Sequence, residues 1–276
     1  LFTSRAHDRA RGIMRLTPAH VWACSLGISF ALWAAVPGSR KFTGLLLALH
    51  APILTWGIID IRSRFFGKVY THDRSRTSAV ALTFDDGPDP ALTPAVLDLL
   101  GEFGCAATFF VVGERARRYP EVVRRTFDEG HTIGCHDLNH TALSNFRGAR
   151  ALRSDLSAAR EIIASIIGPL PLLYRPPVGL LNPHVHPALA SLGMRCVGWS
   201  RRARDGGNRW IRGLDRIPRL AAPGEVIMLH DALPAPANRE RFLRRLKELL
   251  QSIKDRKLET QTVDTFFSFP AYGAGR

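Results

Sequence analysis

Residues 80–88, VALTFDDGP, decide how this chain is organised, because five strand-forming residues run directly into two adjacent carboxylates and a Gly-Pro turn. Val80–Phe84 is followed along the chain by short apolar runs that alternate with amphipathic helical patterns. This alternation predicts a parallel sheet covered by helices, either open or closed into a barrel. In such sheets the residues that carry chemistry lie at the carboxyl ends of the strands, which is where Asp85 and Asp86 fall.

The remaining elements of the sheet are expected at regular intervals. The further strands are predicted at Ala107–Val112, Thr132–Cys135, Leu172–Arg175, Arg195–Trp199, Val226–His230 and Thr260–Val263. The helices are predicted at Pro94–Phe103, Pro120–Glu129, Ala149–Ile167, Pro183–Leu192, Ile211–Leu220 and Arg239–Arg256. In the third helix apolar residues recur at steps of three and four, and Gly168-Pro169 ends it.

Two apolar runs precede this region: Ala19–Val36, closed by Pro37, and Gly44–Ile59. Both are apolar on all sides, and they carry tryptophans of the kind found at membrane interfaces. We therefore expect a basic tail over residues 1–20, a two-helix membrane anchor over 21–61, a basic linker over 62–76 and the sheet-containing domain over 77–270. A pair of buried core helices and a cleavable signal peptide are the alternatives.

The net charge of +14 is concentrated near the apolar runs, since residues 1–76 hold eight more Lys and Arg than Asp. Arginines precede the first run and a basic cluster follows the second, whereas only Arg40 and Lys41 lie between them. The positive-inside rule then places both ends of the hairpin, and the domain after it, on the cytoplasmic side of a bacterial inner membrane. Zinc-finger spacing and aromatic-basic RNA motifs are absent from the sequence, so a nucleic-acid partner is not expected.

Four cysteines, Cys24, Cys105, Cys135 and Cys196, are scattered singly without a CxxC pair. This excludes a disulfide-built scaffold, and we expect all four to be small buried hydrophobic residues.

His136 and His140 follow a predicted strand at the spacing that puts two imidazoles on one side of a helical turn. With Asp86 they make a two-histidine, one-carboxylate set that leaves room for water or substrate on a divalent metal ion. For Asp85 and Asp86 the alternative is a solvated, helix-capping loop.

Arg175 and His230 each end a predicted strand. The arginine could orient a carboxylate and the histidine could donate a proton, although each alone also fits a structural role. Arg201, Arg202 and Arg204 form a basic run near the expected mouth of the site. A solvated loop is the favoured interpretation of that run, and a phosphate contact is the alternative.

Taken together and in order, TFDDGP (83–88), HDLNH (136–140), RPPVG (175–179) and LH (229–230) resemble the motifs of the polysaccharide deacetylases, the NodB-homology domain of carbohydrate esterase family 4. The resemblance covers roughly residues 77–270. It implies a distorted (β/α) barrel that carries a metal-dependent site for removing N-acyl groups.

The resemblance also implies a role for each matching residue. Asp85 resembles the general base and Arg175 the arginine that holds it, while His230 resembles the general acid. The metal ligands would be Asp86, His136 and His140, with zinc the default metal and cobalt, nickel or manganese the alternatives.

The resemblance also implies residues that contact the substrate and a residue that positions the general acid. The backbone amide of Val178 would stabilise the oxyanion. Trp199 and Asp205 fall where the family's fourth motif lies, and Asp205 would tether His230.

The sequence departs from the family pattern at several positions. Asp137 stands where Ser or Thr is usual, Val178 and Leu180 replace an aromatic and a polar residue, and Asp205 is followed by Gly206 rather than Trp. The groove is therefore expected to be more apolar, and Asp137 to cap the turn or support a ligand.

The expected substrate is an amino sugar that carries an N-acetyl or N-formyl group. A lipid-linked sugar phosphate at the cytoplasmic face is favoured, and peptidoglycan or another envelope glycan, with the domain outside, is the runner-up. An O-acyl esterase and an inactive sugar-binding module are the alternatives from other functional classes.

Overall fold

A computed structural model describes residues 16–36, 38, 40–141, 146–232 and 236–273. Within this part of the chain two compact units are distinguished. The first comprises the described residues up to Ile58 together with Ser63–Gly67, and the second comprises Ile59–Arg62 and the described residues from Lys68 onward. The arginines predicted to precede the first apolar run, and Pro37, which was predicted to close it, lie outside the described residues.

The first unit is built on two apolar helices, α1 (Pro18–Ala35) and α2 (Arg40–Ile59). They touch where the indole of Trp22 donates a hydrogen bond to the carbonyl of His50 (3.2 Å). Both helices are long and apolar enough to cross a membrane, by length and composition alone. Most residues of α1 and α2 are exposed, so the described part of the chain does not bury either helix in a core.

The second unit carries the predicted sheet. Its strands are β1 (Val69–Tyr70), β2 (Ala79–Asp85), β3 (Thr108–Val111), β4 (Thr132–Cys135), β5 (Leu170–Pro171), β6 (Leu173–Tyr174), β7 (Arg195–Val197), β8 (Arg201–Arg202), β9 (Val226–His230), β10 (Glu259–Gln261) and β11 (Tyr272–Gly273). Its helices are α3 (Leu92–Phe103), α4 (Gly113–Arg118), α5 (Pro120–Asp128), α6 (Ala149–Ile167), α7 (Val185–Ser191), α8 (Ile211–Leu214), α9 (Arg239–Asp255) and α10 (Val263–Phe267).

Nine of these strands form one sheet in the order β1-β7-β6-β4-β3-β2-β9-β8, with β10 also pairing with β2. The pairs along it are parallel. Only three residues separate β7 from β8, so one short segment pairs with β6 at its start and with β9 at its end. That connection curls the sheet on itself, and the predicted distorted barrel is confirmed.

The core of the sheet is continuous and apolar. All seven residues of β2 are buried, and the rings of Phe84 and Phe109 stack at 4.9 Å between adjacent strands. A strand covered on both faces reads as an unbroken hydrophobic run, which is what the sequence around Val80 shows.

The predicted bounds of β4, β9 and α6 match the structure residue for residue. The predicted helix Ile211–Leu220 instead stops at Leu214, and a separate 3₁₀ turn, Ile217–Arg219, follows. Pro218 accounts for the break, because its ring removes one backbone donor and clashes with the preceding turn. The predicted strand to Val263 ends at Gln261, and Val263 begins α10.

The expectation of four buried cysteines is wrong for two of them. Cys135 and Cys196 are buried in the sheet, whereas Cys24 is exposed and Cys105 is half-buried. Cys24 lies on α1, whose described residues are almost all exposed, so a small apolar side chain there has no protein core to enter.

Candidate active site

One cavity of about 850 Å³ opens at the carboxyl ends of the central strands of the second unit. β2 and β9 run side by side, and their last residues, Asp85 and His230, are direct register partners. The loop after β4 and the segment after β6 reach the same edge of the sheet. The topology therefore brings the predicted site residues together, because the parallel strands all end at this edge.

Asp85 forms a buried ion pair with Arg175 at the floor of the cavity. Nη1 of Arg175 lies 2.6 Å from Oδ1 of Asp85 and donates a second hydrogen bond to the hydroxyl of Thr83 (2.7 Å). Nη2 donates to the carbonyl of Gly198 (2.8 Å), and the guanidinium stacks 4.1 Å above the ring of Phe110. Both charges are almost fully buried, and these contacts fix the orientation of the carboxylate.

Asp86, His136 and His140 converge on one point at the edge of the cavity. Their ligand atoms all lie within 4.8 Å of one another. Oδ1 of Asp86 is 3.3 Å from Nε2 of His136 and 3.0 Å from Nε2 of His140. This is the convergence that the sequence predicts for these three side chains.

The orientation of His136 fits a bound cation. Its Nδ1 lies 2.8 Å from the carbonyl oxygen of Arg175, and because that oxygen can only accept a hydrogen bond, Nδ1 must carry the proton. In the neutral ring Nε2 then presents a lone pair to the Asp86 carboxylate, and two acceptors face each other unless a cation or a proton lies between them. A two-histidine, one-carboxylate donor set beside an open cavity suits zinc and related divalent ions.

The same proximity shows in the ionisation of these groups. Burial alone would raise the pKa of Asp86, but hydrogen bonds from His136 and His140 and the charges of His136 and His230 hold that pKa well below its usual range. For His136 burial alone would lower the pKa, and the adjacent carboxylates of Asp85 and Asp86 raise it. A positive charge between these side chains is thus electrostatically favoured.

The two histidines do not lie on a helical turn, and that expectation is wrong. Residues 136–140 form an irregular loop in which Asp137 (φ 71°) and His140 (φ 51°) adopt left-handed backbone conformations. These two bends bring the imidazole centroids to 4.9 Å. Asp137 is buried, and its backbone carbonyl accepts a hydrogen bond from the amide of Gly113 at the start of α4 (3.0 Å).

His230, which ends β9 beside Asp85, is paired with Asp205. Nδ1 of His230 lies 3.2 Å from Oδ1 of Asp205, and Asp205 is buried. Burial by itself lowers the pKa of His230, but the hydrogen bond and charge of Asp205, with Asp86 and Asp85 nearby, raise it to about 9. The imidazole is therefore protonated at neutral pH and can act as a proton donor.

Val178 and Trp199 lie on the walls of the cavity. Val178 has a left-handed backbone (φ 51°, ψ 7°), and its side chain is 58% exposed. Trp199 is buried, and its ring lies against Gly179, where a Cβ atom would collide with it. Gly179 also has a positive φ, so a side chain there is excluded by both strain and space.

The sequence reasoning missed the role of Asp231. This carboxyl is buried behind the Asp85–Gly87 turn and accepts a hydrogen bond from the hydroxyl of Thr93 (2.7 Å). Burial, with the charges of Asp86 and Asp85, raises its pKa to about 7. A Cβ atom on Gly87 would collide with it, so glycine is required at that turn. Its position directly after His230 was the available signal.

The basic run near the mouth is only partly the solvated loop that the sequence favoured. Arg201 faces Glu225 at 3.6 Å, whereas Arg202 and Arg204 line the cavity. Arg209 and Trp210, which the sequence reasoning did not select, line it as well. The segment around Gly206-Gly207, in which both glycines have positive φ, turns these side chains toward the cavity mouth.

Comparison with known proteins gives the same family. The family model described as "Polysaccharide deacetylase" matches residues 72–197. A chitooligosaccharide deacetylase of Bradyrhizobium sp. (strain ANU 289) is 37% identical over 200 residues, which is 68% of this chain and 90% of the relative. A peptidoglycan-N-acetylglucosamine deacetylase of Bacillus cereus is 33% identical over 193 residues, covering 69% of this chain and 88% of that protein.

Solved structures show the same architecture. The crystal structure of a peptidoglycan N-acetylglucosamine deacetylase superimposes with a TM-score of 0.67 at 26% identity, over 74% of this chain and 95% of that one. The peptidoglycan deacetylase PdaC from Bacillus subtilis gives 0.61 at 30% identity, over 70% and 91%. The order of motifs, the curled parallel sheet and these relatives agree: this chain belongs to the polysaccharide deacetylase family, the NodB-homology hydrolases of carbohydrate esterase family 4.

Proposed function

We propose that this protein is a metal-dependent hydrolase that removes an N-acetyl or N-formyl group from an amino sugar. The observation that carries the proposal is the position of Asp85 and His230 on neighbouring strand ends, beside the converging donors of Asp86, His136 and His140. The names of the relatives support an amino-sugar substrate, since they are described as deacetylases of chitooligosaccharide and peptidoglycan.

The donor set of Asp86, His136 and His140 would hold one divalent ion, with zinc the first choice and cobalt, nickel or manganese as alternatives. When bound, this ion would polarise the acyl carbonyl and lower the pKa of water from about 15.7 toward about 7. The protein's own part is to orient these donors, as the hydrogen bond from Nδ1 of His136 to the Arg175 carbonyl does for the His136 ring.

Asp85 would act as the general base. Arg175 holds Oδ1, which leaves the second carboxylate oxygen to take the proton from the attacking water. Because the guanidinium is itself fixed by Thr83 and Gly198, the base is held in one orientation before substrate binds.

His230 would act as the general acid on the other side of the scissile bond. Asp205 keeps its imidazole oriented and protonated, so that it can donate a proton to the departing amine. The backbone amide of Val178 would donate to the developing oxyanion, an interaction typically worth about 3–4 kcal/mol. Trp199 would form a wall for the sugar.

The test is release of the acyl group by the purified full chain in detergent, supplied with Zn²⁺ or Co²⁺ and N-acetylated chitooligosaccharide. Wild-type protein should liberate acetate. Asp85→Asn should lower kcat by about 10²–10⁴-fold while one equivalent of metal is retained. Asp128→Asn, the same change at an exposed position on α5, is the matched control. Full activity of Asp85→Asn would remove Asp85 as the base, and absence of acetate from wild-type protein would contradict the proposed reaction.

We further propose that α1 and α2 anchor the protein in a bacterial inner membrane with the catalytic unit on the cytoplasmic side. Basic residues flanking the apolar helices support this orientation. An epitope fused after Arg276 should be lost to protease only in inverted membrane vesicles. Loss only in right-side-out vesicles would place the site outside and direct the search to envelope glycans.

A further inference from the structure

Five arginines surround the mouth of the active-site cavity: Arg115, Arg118, Arg202, Arg204 and Arg209. All five are exposed. Within the part of the chain that the structure describes, none of them forms an ion pair with a carboxylate. Arg115 alone has a backbone partner, the carbonyl of Asp86 at 2.6 Å. The mouth therefore carries positive charge that the protein does not neutralise by contact.

The carboxylates that line the cavity offset this charge only in part: the charge of Asp205 raises the pKa of Arg202, and Asp89 accepts hydrogen bonds from the amides of Ala91 and Leu92. Asp85 is paired with Arg175, and Asp205 with His230. Asp86 faces the two histidines, and it would be further neutralised by a cation. The arginines also repel one another: burial lowers the pKa of Arg202, and the charge of Arg204 lowers it further. A cluster of cations that is costly alone is stabilised by a polyanionic ligand.

The segment from Arg202 to Trp210, here the arginine loop, is fixed to the catalytic machinery. Asn208 is buried in it and donates hydrogen bonds to the carbonyls of His230 (2.7 Å) and Ala232 (3.0 Å). The amide of Trp210 donates to the carbonyl of Asp205 (2.7 Å). Arg204 directly precedes Asp205, the partner of His230. An anion held by this loop therefore lies beside the proton donor.

Trp210 gives the loop an aromatic surface next to its charges. Its side chain is 61% exposed, lines the cavity and rests against Gly206. Guanidinium groups bind phosphate through paired hydrogen bonds, and an exposed indole next to them offers a flat face to a sugar ring. Together they form a recognition surface for a phosphorylated sugar.

We propose that the arginine loop binds a phosphate group attached to the amino-sugar substrate, so that the preferred substrate is a sugar phosphate or phosphodiester rather than a neutral glycan. This inference rests on the proposed N-deacylation and names the class of substrate for it. The phosphate could belong to a lipid head group or to a soluble sugar phosphate.

The experiment compares three substrates of the full chain in detergent: N,N′-diacetylchitobiose, its 1-phosphate, and the same phosphate esterified to a decyl chain. Wild-type kcat/KM should be at least about tenfold higher for the 1-phosphate than for the neutral sugar, as expected for one or two charge-assisted contacts. Arg204→Gln combined with Arg209→Gln should reduce this ratio to near one. Arg212→Gln, which removes an exposed arginine on α8 outside the cavity, should leave the ratio unchanged.

A second measurement does not depend on the variant folding. The wild-type preference should shrink steadily between about 0.05 M and about 0.5 M salt, because exposed charges are screened over this range. Equal kcat/KM for phosphorylated and neutral sugar, or a preference that the double variant and salt leave intact, would overturn the phosphate site.

The outcomes separate this inference from the reaction on which it rests. Acyl release without a phosphate preference overturns the phosphate site alone, whereas no acyl release from any of the three compounds overturns the deacylation and the phosphate site with it. Higher turnover of the decyl compound assigns the phosphate to a lipid head group. Equal turnover of both phosphorylated compounds assigns it to the sugar phosphate itself.

Discussion

The charged side chains at the floor of the cavity are buried and paired, whereas the arginines at its mouth are exposed and form no ion pair within the described chain. At the floor, Asp85 and Arg175 are buried, belong to or directly follow strands, and are held by several hydrogen bonds. At the mouth, Arg204 and Arg209 are exposed on a loop and have no carboxylate partner within the described chain. A buried charge is tolerated only when it is paired, whereas water solvates an exposed charge, which therefore stays available to bind a ligand. In the proposed reaction the fold would thus hold the reacting groups rigidly and leave substrate selection to the arginine loop.

The largest effect is expected from removing a metal donor between floor and mouth. His140→Ala should leave less than one equivalent of bound metal and reduce acyl release to background. The loss of affinity should exceed the roughly 10–100-fold that changes to an outer partner of a ligand typically cause. Metal content by elemental analysis, measured beside acetate release, checks this.

His140 is a suitable position because its side chain is about one third exposed, so its removal leaves no buried unpaired group. His184→Ala, at an exposed histidine before α7, is the control and should keep both metal and activity. A His140→Ala protein that still holds a full equivalent would refute the ligand assignment.

A smaller, structural effect sharpens the contrast between buried and exposed charge. Arg175→Gln leaves the Asp85 carboxylate buried without its cation, so the free energy of unfolding should fall by about 3–5 kcal/mol. Arg125→Gln, which breaks exposed ion pairs with Asp98 and Glu129, should cost less than about 1 kcal/mol. Chemical denaturation of both variants gives the two values. Similar losses would show that burial does not govern the strength of the Asp85 pair.

The floor could be predicted from the sequence, because its residues follow apolar runs of the right length. Val80–Phe84 and Val226–Leu229 are short, unbroken apolar runs of the kind that form strands buried on both faces, and a parallel sheet brings together the residues that follow them, Asp85 and His230. The bounds of β4 and β9 were predictable because each is a short apolar run, and those of α6 because apolar residues recur at helical steps until Gly168-Pro169 ends the helix.

The sequence placed basic residues near the mouth, but the geometry of the mouth and of the nearby His136–His140 loop could not be predicted, because it depends on local bends and on contacts between distant segments. The helical spacing of His136 and His140 suggested a helix, but bends at Asp137 and His140 produce the convergence instead. The arginine loop is placed by Asn208, whose bonds to the end of β9 are visible only in three dimensions. Short strands such as β8 carry too few residues to show a period.

The smallest effect concerns the link between the two regions, the pair of Asp205 and His230. Asp205 raises the pKa of His230, and the general acid must be protonated, so activity should fall as pH rises through about 9. A bound cation cancels the contribution of Asp86, but that of Asp205 persists. Asp205→Asn removes this charge, and the alkaline limb of kcat/KM should move down toward the ordinary histidine pKa of about 6.5.

The pH profile distinguishes this electrostatic role from a purely structural one. In Asp205→Asn activity should be nearly normal near pH 6, where the imidazole is still protonated, and should fall about tenfold or more by pH 8. A merely disordered loop would lower activity equally at every pH. An unchanged alkaline limb would mean that His230 does not supply the proton. The general acid would then not be one of the buried groups that the strands hold in place.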